Sequence, residues 1–442
     1  MSPQQTLDVT EYIDGRKINA FNVLIIVVSF LVILVDGFDI TVIALAIPHL
    51  IRAWGVQDPS AFSWVLSASL AGMLFGAPLI GHFGDRHGRK TAIVVCYAIF
   101  GVFTLCAAWA TSINQLLVLR FLAGIGIGGL LPNIVALNAE FAPRRLQAAA
   151  VSVSFAGITI GGSLPGPVAA YLVPSHGWQI LFYLGGIVPL LFLGIIATWL
   201  PESIRFLALK DRQADVAALM RRMDPDARVP EDARFIVRES ETLPFKYLFE
   251  RELAVMTPLL WLLFALNLMA YYFLISWMPT LLTSANTPVS QAALATTMLQ
   301  IGGFVGGVSI ALPLDRRGML PIVALFLLAI PIVGAIGYVA LQSPISMMIL
   351  VALAGFCTLG GQFGLNAISA IIYPTALRST GSGWAFGIGR IGSILGPVVG
   401  GALIAMKLPV QQLYVLATIP FVLAAIVSLI MMPMYAKRVK PG

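Results

Sequence analysis

Charged side chains are scarce in this chain of 442 residues, of which 11% are charged and 59% are hydrophobic. An average soluble domain carries about 25% charged residues, so the composition excludes an ordinary soluble protein. Apolar runs of about 20 residues recur instead, and each is long enough to cross a hydrocarbon core about 30 Å thick. These runs lack the alternation that a membrane β-barrel needs. The sequence therefore predicts an all-α polytopic membrane protein.

Cysteines and cofactor motifs are also scarce. The three cysteines all lie in apolar runs, with no disulfide framework and no metal-ligand spacing. The glycine-rich segment GIGIGG at 124–129 has no preceding strand and no following Lys-Ser/Thr, so it is not a phosphate loop. No nucleophile–base set is visible. We therefore expect no enzyme, no metal and no cofactor, with a gradient as the driving force.

Twelve apolar runs are predicted to span the membrane. They cover 22–50, 62–82, 91–110, 114–141, 149–173, 178–200, 254–283, 292–313, 320–341, 345–373, 383–405 and 411–434. A polar segment separates the sixth run from the seventh. We predict three parts: an N-terminal six-helix bundle at 1–200, a cytoplasmic amphipathic linker at 201–253 and a C-terminal six-helix bundle at 254–442.

The net charge of +7 is distributed very unevenly. Of the 27 Lys and Arg residues, 23 fall in the termini or in the loops on one side of the predicted membrane. This asymmetry follows the positive-inside rule and predicts that both termini are cytoplasmic. It also argues against nucleic acid as a partner. We expect a monomer in the cytoplasmic (inner) membrane of a bacterium.

Two segments recur at one spacing. GDRHG at 84–88 reappears as LDRRG at 314–318, and GSLPGPV at 162–168 reappears as GSILGPV at 392–398. Both pairs are 230 positions apart, which indicates an internal duplication. Parallel repeats of this kind place the substrate near the midplane, between the two halves.

The most unusual polar residues are Asp36 and Asp39, near the middle of the first run. A charge at such depth costs roughly 2.5–3.5 kcal/mol, so it usually faces a water-filled path or a partner. Arg120 is predicted at a similar depth in the fourth run. Protonation of Asp39 would break a pair with Arg120, which makes the group a candidate proton switch. The alternative is a static pair that only joins two helices.

Arg390 lies midway through the eleventh run. Because arginine stays charged, it needs an anion or a wet cavity. It is a candidate for bidentate binding of a substrate carboxylate. The alternative is a partner among Asp36, Asp39 and Glu140.

GHFGDRHGRK at 81–90 resembles the signature of the major facilitator superfamily, and PESIRFL at 201–207 and YPTALRSTG at 373–381 agree with it. The resemblance covers the whole chain and implies alternating access between two bundles. It also implies a cytoplasmic gate. The gate residues would be Asp85, Arg86, Arg89, Glu140, Arg145, Asp315 and Arg316.

The DGFD element at 36–39 resembles the aromatic acid:proton symporter family, in which both aspartates are needed for uptake. That resemblance implies proton-coupled import of aromatic carboxylates such as hydroxybenzoates. One alternative is a proton-antiport exporter of organic anions or drugs. A second is a transporter-like sensor of aromatic acids.

An aromatic substrate would need aromatic and amide neighbours. Asn267 and Tyr271, like Gln362 and Asn366, are four residues apart and share a helix face. The candidate substrate-binding residues, besides Arg390, are Phe38, Asn267, Tyr271, Gln362, Asn366, Trp384 and Phe386. Each aromatic residue has packing or a place in the interfacial belt as its alternative role.

Overall fold

The computed structural model describes residues 6–14, 19–223, 234–236, 243–250, 252–340 and 342–439. In these ranges twelve helical segments are long and apolar enough to cross a membrane. They confirm the predicted all-α, multi-pass architecture.

We number the spanning helices in chain order. They are α1 Ala20–Trp54, α2 Ser63–His87, α3 Arg89–Ala107, α4 Ile113–Phe141, α5 Arg144–Ser163 with Pro165–Tyr171, α6 Gln179–Trp199, α7 Leu253–Ser284, α8 Val289–Ser309 with Ala311–Arg317, α9 Leu320–Val339, α10 Pro344–Ile372, α11 Thr375–Ala405 and α12 Val410–Leu416 with Ile419–Val439. The membrane face at which α1 begins and α12 ends is called the terminal face below, and the other is called the opposite face.

The ends of α2 and α8 explain the glycine of the repeated Asp-Arg-x-Gly element. Gly88 has a φ of 101° and Gly318 a φ of 59°. Both angles lie in the region that residues with a Cβ rarely adopt. The glycine lets the chain reverse at once into the next spanning helix.

Helices within each half pack closely through glycine. An added Cβ at Gly72 of α2 would collide with the backbone carbonyl of Phe121 in α4, and one at Gly124 would collide with Ser69. Because glycine has no side chain, the two helix backbones approach closely at these positions, as they do at small residues in membrane bundles. In the C-terminal half, Gly302 of α8 lies equally close to the carbonyl of Ala352 in α10.

The two halves meet near the opposite face. The Ser67 hydroxyl of α2 donates to the Ile394 carbonyl of α11 at 2.8 Å, and the Thr297 hydroxyl of α8 donates to the Ser163 carbonyl of α5 at 2.8 Å. The donors Ser67 and Thr297 are 230 positions apart and the acceptors Ser163 and Ile394 are 231 apart, so the two contacts match under the internal repeat to within one residue.

Toward the terminal face α11 is open. An added Cβ at Gly383 or Gly387 would meet no atom within 4 Å. The helices are therefore closed together near the opposite face, and the space between them opens toward the terminal face.

Outside the spanning helices, the terminal face carries a small platform. Strand β1 (Thr6–Asp8) pairs in parallel with strand β2 (Arg234–Ile236), which the sequence analysis did not predict. Helices Ile204–Leu209 and Gln213–Met223 precede β2, and a 3-10 turn, Phe245–Phe249, follows it. The helix from Gln213 buries an apolar face of Val216, Leu219, Met220 and Met223, consistent with an amphipathic linker.

The spans predicted at 292–313 and 411–434 are each divided into two helices, at Ile310 and at Ala417–Thr418. Two further predicted spans differ from the structure. The span predicted at 149–173 is interrupted at Leu164, because Pro165 and Pro167 lack the N–H groups that continue a helix. The helix predicted from 383 begins at Thr375, because its polar first turns extend beyond the apolar run.

Candidate functional site

The centre of the N-terminal half holds a buried ion pair. Asp39 of α1 and Arg120 of α4 are 2% and 0% exposed, and the guanidinium donates to a carboxylate oxygen. Thr104 of α3 donates to the other oxygen at 3.4 Å. Arg120 also donates through Nε to the Ser69 hydroxyl of α2 at 3.1 Å. Four helices thus converge on one charge pair, as the similar depth of the two residues predicts.

Asp36 has a different environment, although it lies less than one turn before Asp39. Its side chain is 0% exposed, and neither carboxylate oxygen has a hydrogen-bond partner among the described residues. The hydroxyl of Tyr97 on α3 is nearby but donates to the Val32 carbonyl at 2.6 Å. The charged groups that act on Asp36 are Asp39 and, from the other half, Arg390.

Arg390 lies midway along α11 and is half-buried. No carboxylate in the described part of the chain lies within 4 Å of its guanidinium, so the predicted alternative of a direct ion pair with Asp36, Asp39 or Glu140 is not observed. Asp36 and the Tyr272 hydroxyl of α7 interact with it electrostatically. Among the described residues, Arg390 is therefore a cation without a carboxylate partner, and its predicted role in substrate binding stays a prediction.

Amide side chains line the C-terminal half at the same depth. Asn267 of α7 donates to Gln362 of α10 at 2.9 Å, and Gln362 donates to Asn366 at 3.0 Å. The Tyr271 hydroxyl donates to the Oε1 atom of Gln300 in α8 at 2.8 Å. Asn267, Tyr271, Gln362 and Asn366 were predicted. Gln300 was missed, and a polar amide in the middle of an apolar run was the signal that could have found it.

The predicted aromatic residues divide into three groups: Tyr271 and Phe386 lie near Arg390, Phe38 packs within the N-terminal half, and Trp384 lies on the outer surface. Tyr271 packs edge-on against Tyr272 with ring centroids 5.2 Å apart, beside Arg390. Phe386, one turn before Arg390, packs edge-on against Phe264 at 5.4 Å. Phe38 lies against Gly185 of α6, in its own half.

Trp384 forms the third group and lies on the outer surface. It is 47% exposed and stacks on Trp261 at 5.9 Å and against Phe245 at 4.9 Å. Ile391 and Leu395, about two and three helical turns further along this side of α11, are also exposed. The structure therefore places Trp384 in an aromatic cluster at the terminal face, because its register on α11 turns it away from Arg390.

At the terminal face, Glu140 of α4 pairs with Arg89, and both were predicted as gate residues. The Ser203 hydroxyl also donates to Glu140 at 2.6 Å. The neighbouring Glu202 accepts from the Lys90 backbone N–H at 3.1 Å, at the first turn of α3. The segment after α6 thus anchors the start of α3, where a carboxylate is favoured by the helix dipole.

The other predicted gate residues are not brought together by the described contacts. Asp85, Arg86, Asp315 and Arg316 are exposed, and none of them forms an ion pair with another described side chain. The side chain of Arg145 lies outside the described residues. Their role in gating stays a prediction.

A small cavity connects the buried pair with the interface. It has a volume of about 20 Å³, and its polar lining comprises Asp39, Ser69, Tyr272 and Ser276. A space of this size with several polar partners accommodates one water molecule. The ion pair of the first half and the tyrosine of the second therefore share one polar pocket.

Known relatives resemble this chain over almost its full length. The gallate transporter of Pseudomonas putida is 36% identical, with 96% of this chain and 94% of the relative covered. The 4-hydroxybenzoate transporter PcaK of the same species is 34% identical, with 96% and 95% covered. The benzoate transport protein of Acinetobacter baylyi is 33% identical, with 95% and 91% covered.

Solved structures share the fold. The partially occluded, inward-open xylose transporter XylE from E. coli matches with a TM-score of 0.72 at 19% identity, with 94% of this chain and 98% of that chain covered. A bacterial homologue of the human lysosomal transporter Spinster matches equally well, at 18% identity, with 96% and 100% covered. The family model for the Major Facilitator Superfamily matches residues 29–342. The predicted transporter fold and class are thereby confirmed, and the chain belongs to the Major Facilitator Superfamily.

Proposed function

We propose that this protein is a proton-coupled symporter that imports aromatic carboxylates of the hydroxybenzoate type. The observation that carries the proposal is the presence, between the two halves, of a cation, Arg390, and a carboxyl, Asp36, that have no ion-pair or hydrogen-bond partner among the described residues. The first is suited to bind a substrate anion, and the second to bind a proton. The substrates that name the relatives are gallate, 4-hydroxybenzoate and benzoate, and all three are ring carboxylates.

Substrate binding begins at Arg390. A guanidinium offers two parallel N–H donors to a carboxylate, which gives both affinity and orientation. The half-buried position next to Tyr272 and Phe386 provides apolar surface for an aromatic ring. A substrate bound there lies between the halves and contacts both.

Proton binding involves Asp36 and Asp39. An ionised carboxylate that is buried without a partner is costly, whereas its protonated form is neutral. Asp36 therefore takes up a proton readily when the interface is open to an acidic compartment. A proton passed on to Asp39 would break its pair with Arg120 and free that guanidinium, and the movement of α1 against α4 would be coupled to protonation.

Transport follows by alternating access. The contacts of Ser67 and Thr297 close the opposite face in this structure and must break when the site opens on that side. The excess of Lys and Arg on the terminal side supports a cytoplasmic terminal face in a bacterial inner membrane. On that orientation, the structure is open to the cytoplasm. We propose a monomer without a cofactor as the working unit, driven by the proton gradient.

Proteoliposome uptake tests this function. We expect an inward-directed proton gradient to drive accumulation of radiolabelled 4-hydroxybenzoate, and a protonophore to abolish it. Accumulation driven only by an outward-directed proton gradient would support an exporter instead. Failure to transport any of benzoate, 4-hydroxybenzoate and gallate would contradict the substrate class.

A further inference from the structure

A groove on the outer surface of the C-terminal half lies between α8 and α9, toward the terminal face. Its volume is about 500 Å³, within the range of about 300–1,000 Å³ that small-molecule sites have. Apart from Ser309 and Arg317, every lining residue is apolar. We call it the lateral groove, and its lining includes Gly306, Pro313 and Arg317 of α8, Leu320 and Ala324 of α9, and Phe356 of α10.

The lateral groove opens sideways, into the region that the bilayer occupies. Its floor is α10, on which α8 lies directly, since an added Cβ at Gly306 would collide with the Phe356 carbonyl. At its rim, Leu312 of α8 is 70% exposed and Leu320 of α9 is 47% exposed. Exposed apolar side chains on spanning helices mark a surface that contacts the membrane. A ligand of this groove would therefore enter from the lipid phase.

The end of the groove at the terminal face carries a cation. Arg317 is the last residue of α8, is exposed, and forms no ion pair with another described side chain. Asp315, two residues earlier, is rotated by about 200° from it around the helix and interacts electrostatically with Tyr435 of α12. Because α9 begins at Leu320, the positive end of its helix dipole lies at the same place. This end of the groove therefore favours an anion.

The corresponding place in the N-terminal half is occupied differently. Phe83 and His87 lie 230 positions before Pro313 and Arg317, and their rings stack with centroids 4.3 Å apart. In the C-terminal half a proline and an exposed guanidinium replace this stacked pair. The cation at the end of the groove is thus a feature of one half, and it does not follow from the internal repeat.

We propose that the lateral groove binds an anionic glycerophospholipid of the terminal-face leaflet. One acyl chain lies along Ala324 and Phe356, and the phosphate binds at Arg317. A guanidinium offers parallel N–H donors to a phosphate, and basic pockets between spanning helices suit anionic head groups. A small soluble anion would leave the apolar walls uncovered, and an uncharged apolar compound would leave Arg317 without an anion. The proposal concerns the lipid-facing surface and does not depend on the proposed function.

Native mass spectrometry of the full-length protein tests the head-group contact. The protein is titrated with phosphatidylglycerol or phosphatidylcholine of identical acyl chains. We expect the wild type to bind phosphatidylglycerol about fivefold more tightly. Arg317→Gln should weaken that binding about tenfold and remove the preference, because it removes a hydrogen bond between charged groups. Arg316→Gln is the matched control, since its neighbouring arginine does not line the groove, and it should stay within about twofold of the wild type.

Ala324→Phe tests the acyl-chain contact and leaves Arg317 in place. Exclusion of two or three methylene groups from the groove should weaken both lipids by about tenfold, because the chain is common to them. Leu312→Phe adds a ring at an exposed position outside the lining and should change neither affinity.

Three results would overturn the proposal. The first is equal affinity of the wild type for the two lipids, which decides the matter even if a variant fails to insert into the membrane. The second is an equal loss in Arg317→Gln and Arg316→Gln, which would indicate general attraction of anionic lipid to the terminal face. The third is unchanged affinity in Ala324→Phe, which would place the lipid outside the lateral groove.

Discussion

Asp36 and Asp39 belong to the same four-residue element but occupy opposite environments. Asp39 is bound by Arg120 and Thr104 inside the N-terminal half. Asp36 is equally buried and has no partner among the described side chains. Burial alone therefore does not distinguish the two carboxylates, and the difference lies in which helices they face.

The difference follows from the geometry of α1. Residues three positions apart on an α-helix are rotated by about 60° from each other. Asp39 is held by α3 and α4 of its own half and also borders the small cavity that Tyr272 lines. Asp36 lies near Tyr97 of α3 and within the electrostatic influence of Arg390 and Tyr272 of the other half. One carboxylate stabilises the bundle, and the other is placed to respond when the halves move. The predictions below test this division.

The largest effect is expected on the free energy of unfolding, when Arg120, the partner of Asp39, is replaced. Arg120→Leu would leave Asp39 buried without its counter-charge, which costs about 3–5 kcal/mol in other proteins. We expect a markedly lower unfolding temperature in detergent. The double variant Arg120→Leu/Asp39→Leu removes both charges and should recover much of the loss. Equal destabilisation of the single and double variants would show that the pair is not the cause.

A second effect is expected on binding, at Arg390. A hydrogen bond to a charged group contributes about 1.5–3 kcal/mol, so Arg390→Gln should weaken binding of 4-hydroxybenzoate by roughly 10- to 150-fold. Since no described carboxylate pairs with Arg390, the unfolding temperature should change little. Equilibrium binding to purified protein measures the affinity. Unchanged affinity of Arg390→Gln for 4-hydroxybenzoate would show that Arg390 does not bind the substrate.

A third effect is expected on the conformational equilibrium. Ser67→Ala and Thr297→Val each remove one hydrogen bond that closes the opposite face, worth about 1 kcal/mol. We expect each variant to increase the labelling rate of a cysteine placed in the opposite-face half of the interface by about fivefold. Ser346→Ala, whose residue lies on an exposed turn at the same face, serves as the control and should have no effect.

The smallest effect is expected at Trp384. Because its ring lies in an exposed cluster with Trp261 and Phe245, Trp384→Leu should leave the KM for 4-hydroxybenzoate within about twofold of the wild type. Phe386→Leu, two residues further along α11, is the matched variant on the Arg390 side and should raise KM more. A larger increase in KM for Trp384→Leu than for Phe386→Leu would indicate that Trp384 contacts the substrate.

The sequence predicted the features that depend on the free-energy cost of placing a charge in an apolar run and on the depth of that charge in the membrane. Two aspartates and an arginine in apolar runs are expensive, so their positions alone predicted the pair of Asp39 and Arg120. It could not predict that Trp384 faces outward, because that depends on the rotation of α11 about its axis. The analysis of charged residues also missed Gln300, whose uncharged amide in an apolar run is a weaker signal than a charge.

The strand pair was missed for another reason. β1 and β2 have three residues each and lie more than 220 positions apart, so no local pattern joins them. The break in α5 had a signal in Pro165 and Pro167, but an apolar run that continues across two prolines also fits one kinked span. Long-range pairing is therefore predictable where buried charges mark both partners, as in Asp39 and Arg120, and not where two short strands carry no such mark.

The role of Asp36 in coupling is tested most directly by Asp36→Asn in proteoliposomes, with two readouts in the same preparation. The first is exchange of 4-hydroxybenzoate at equilibrium, and the second is accumulation under an inward-directed proton gradient. We predict that exchange continues, because Asn fills the same space, and that accumulation is lost, because no proton can bind. Accumulation at the wild-type level in Asp36→Asn would contradict the assignment of Asp36 as the proton-binding group.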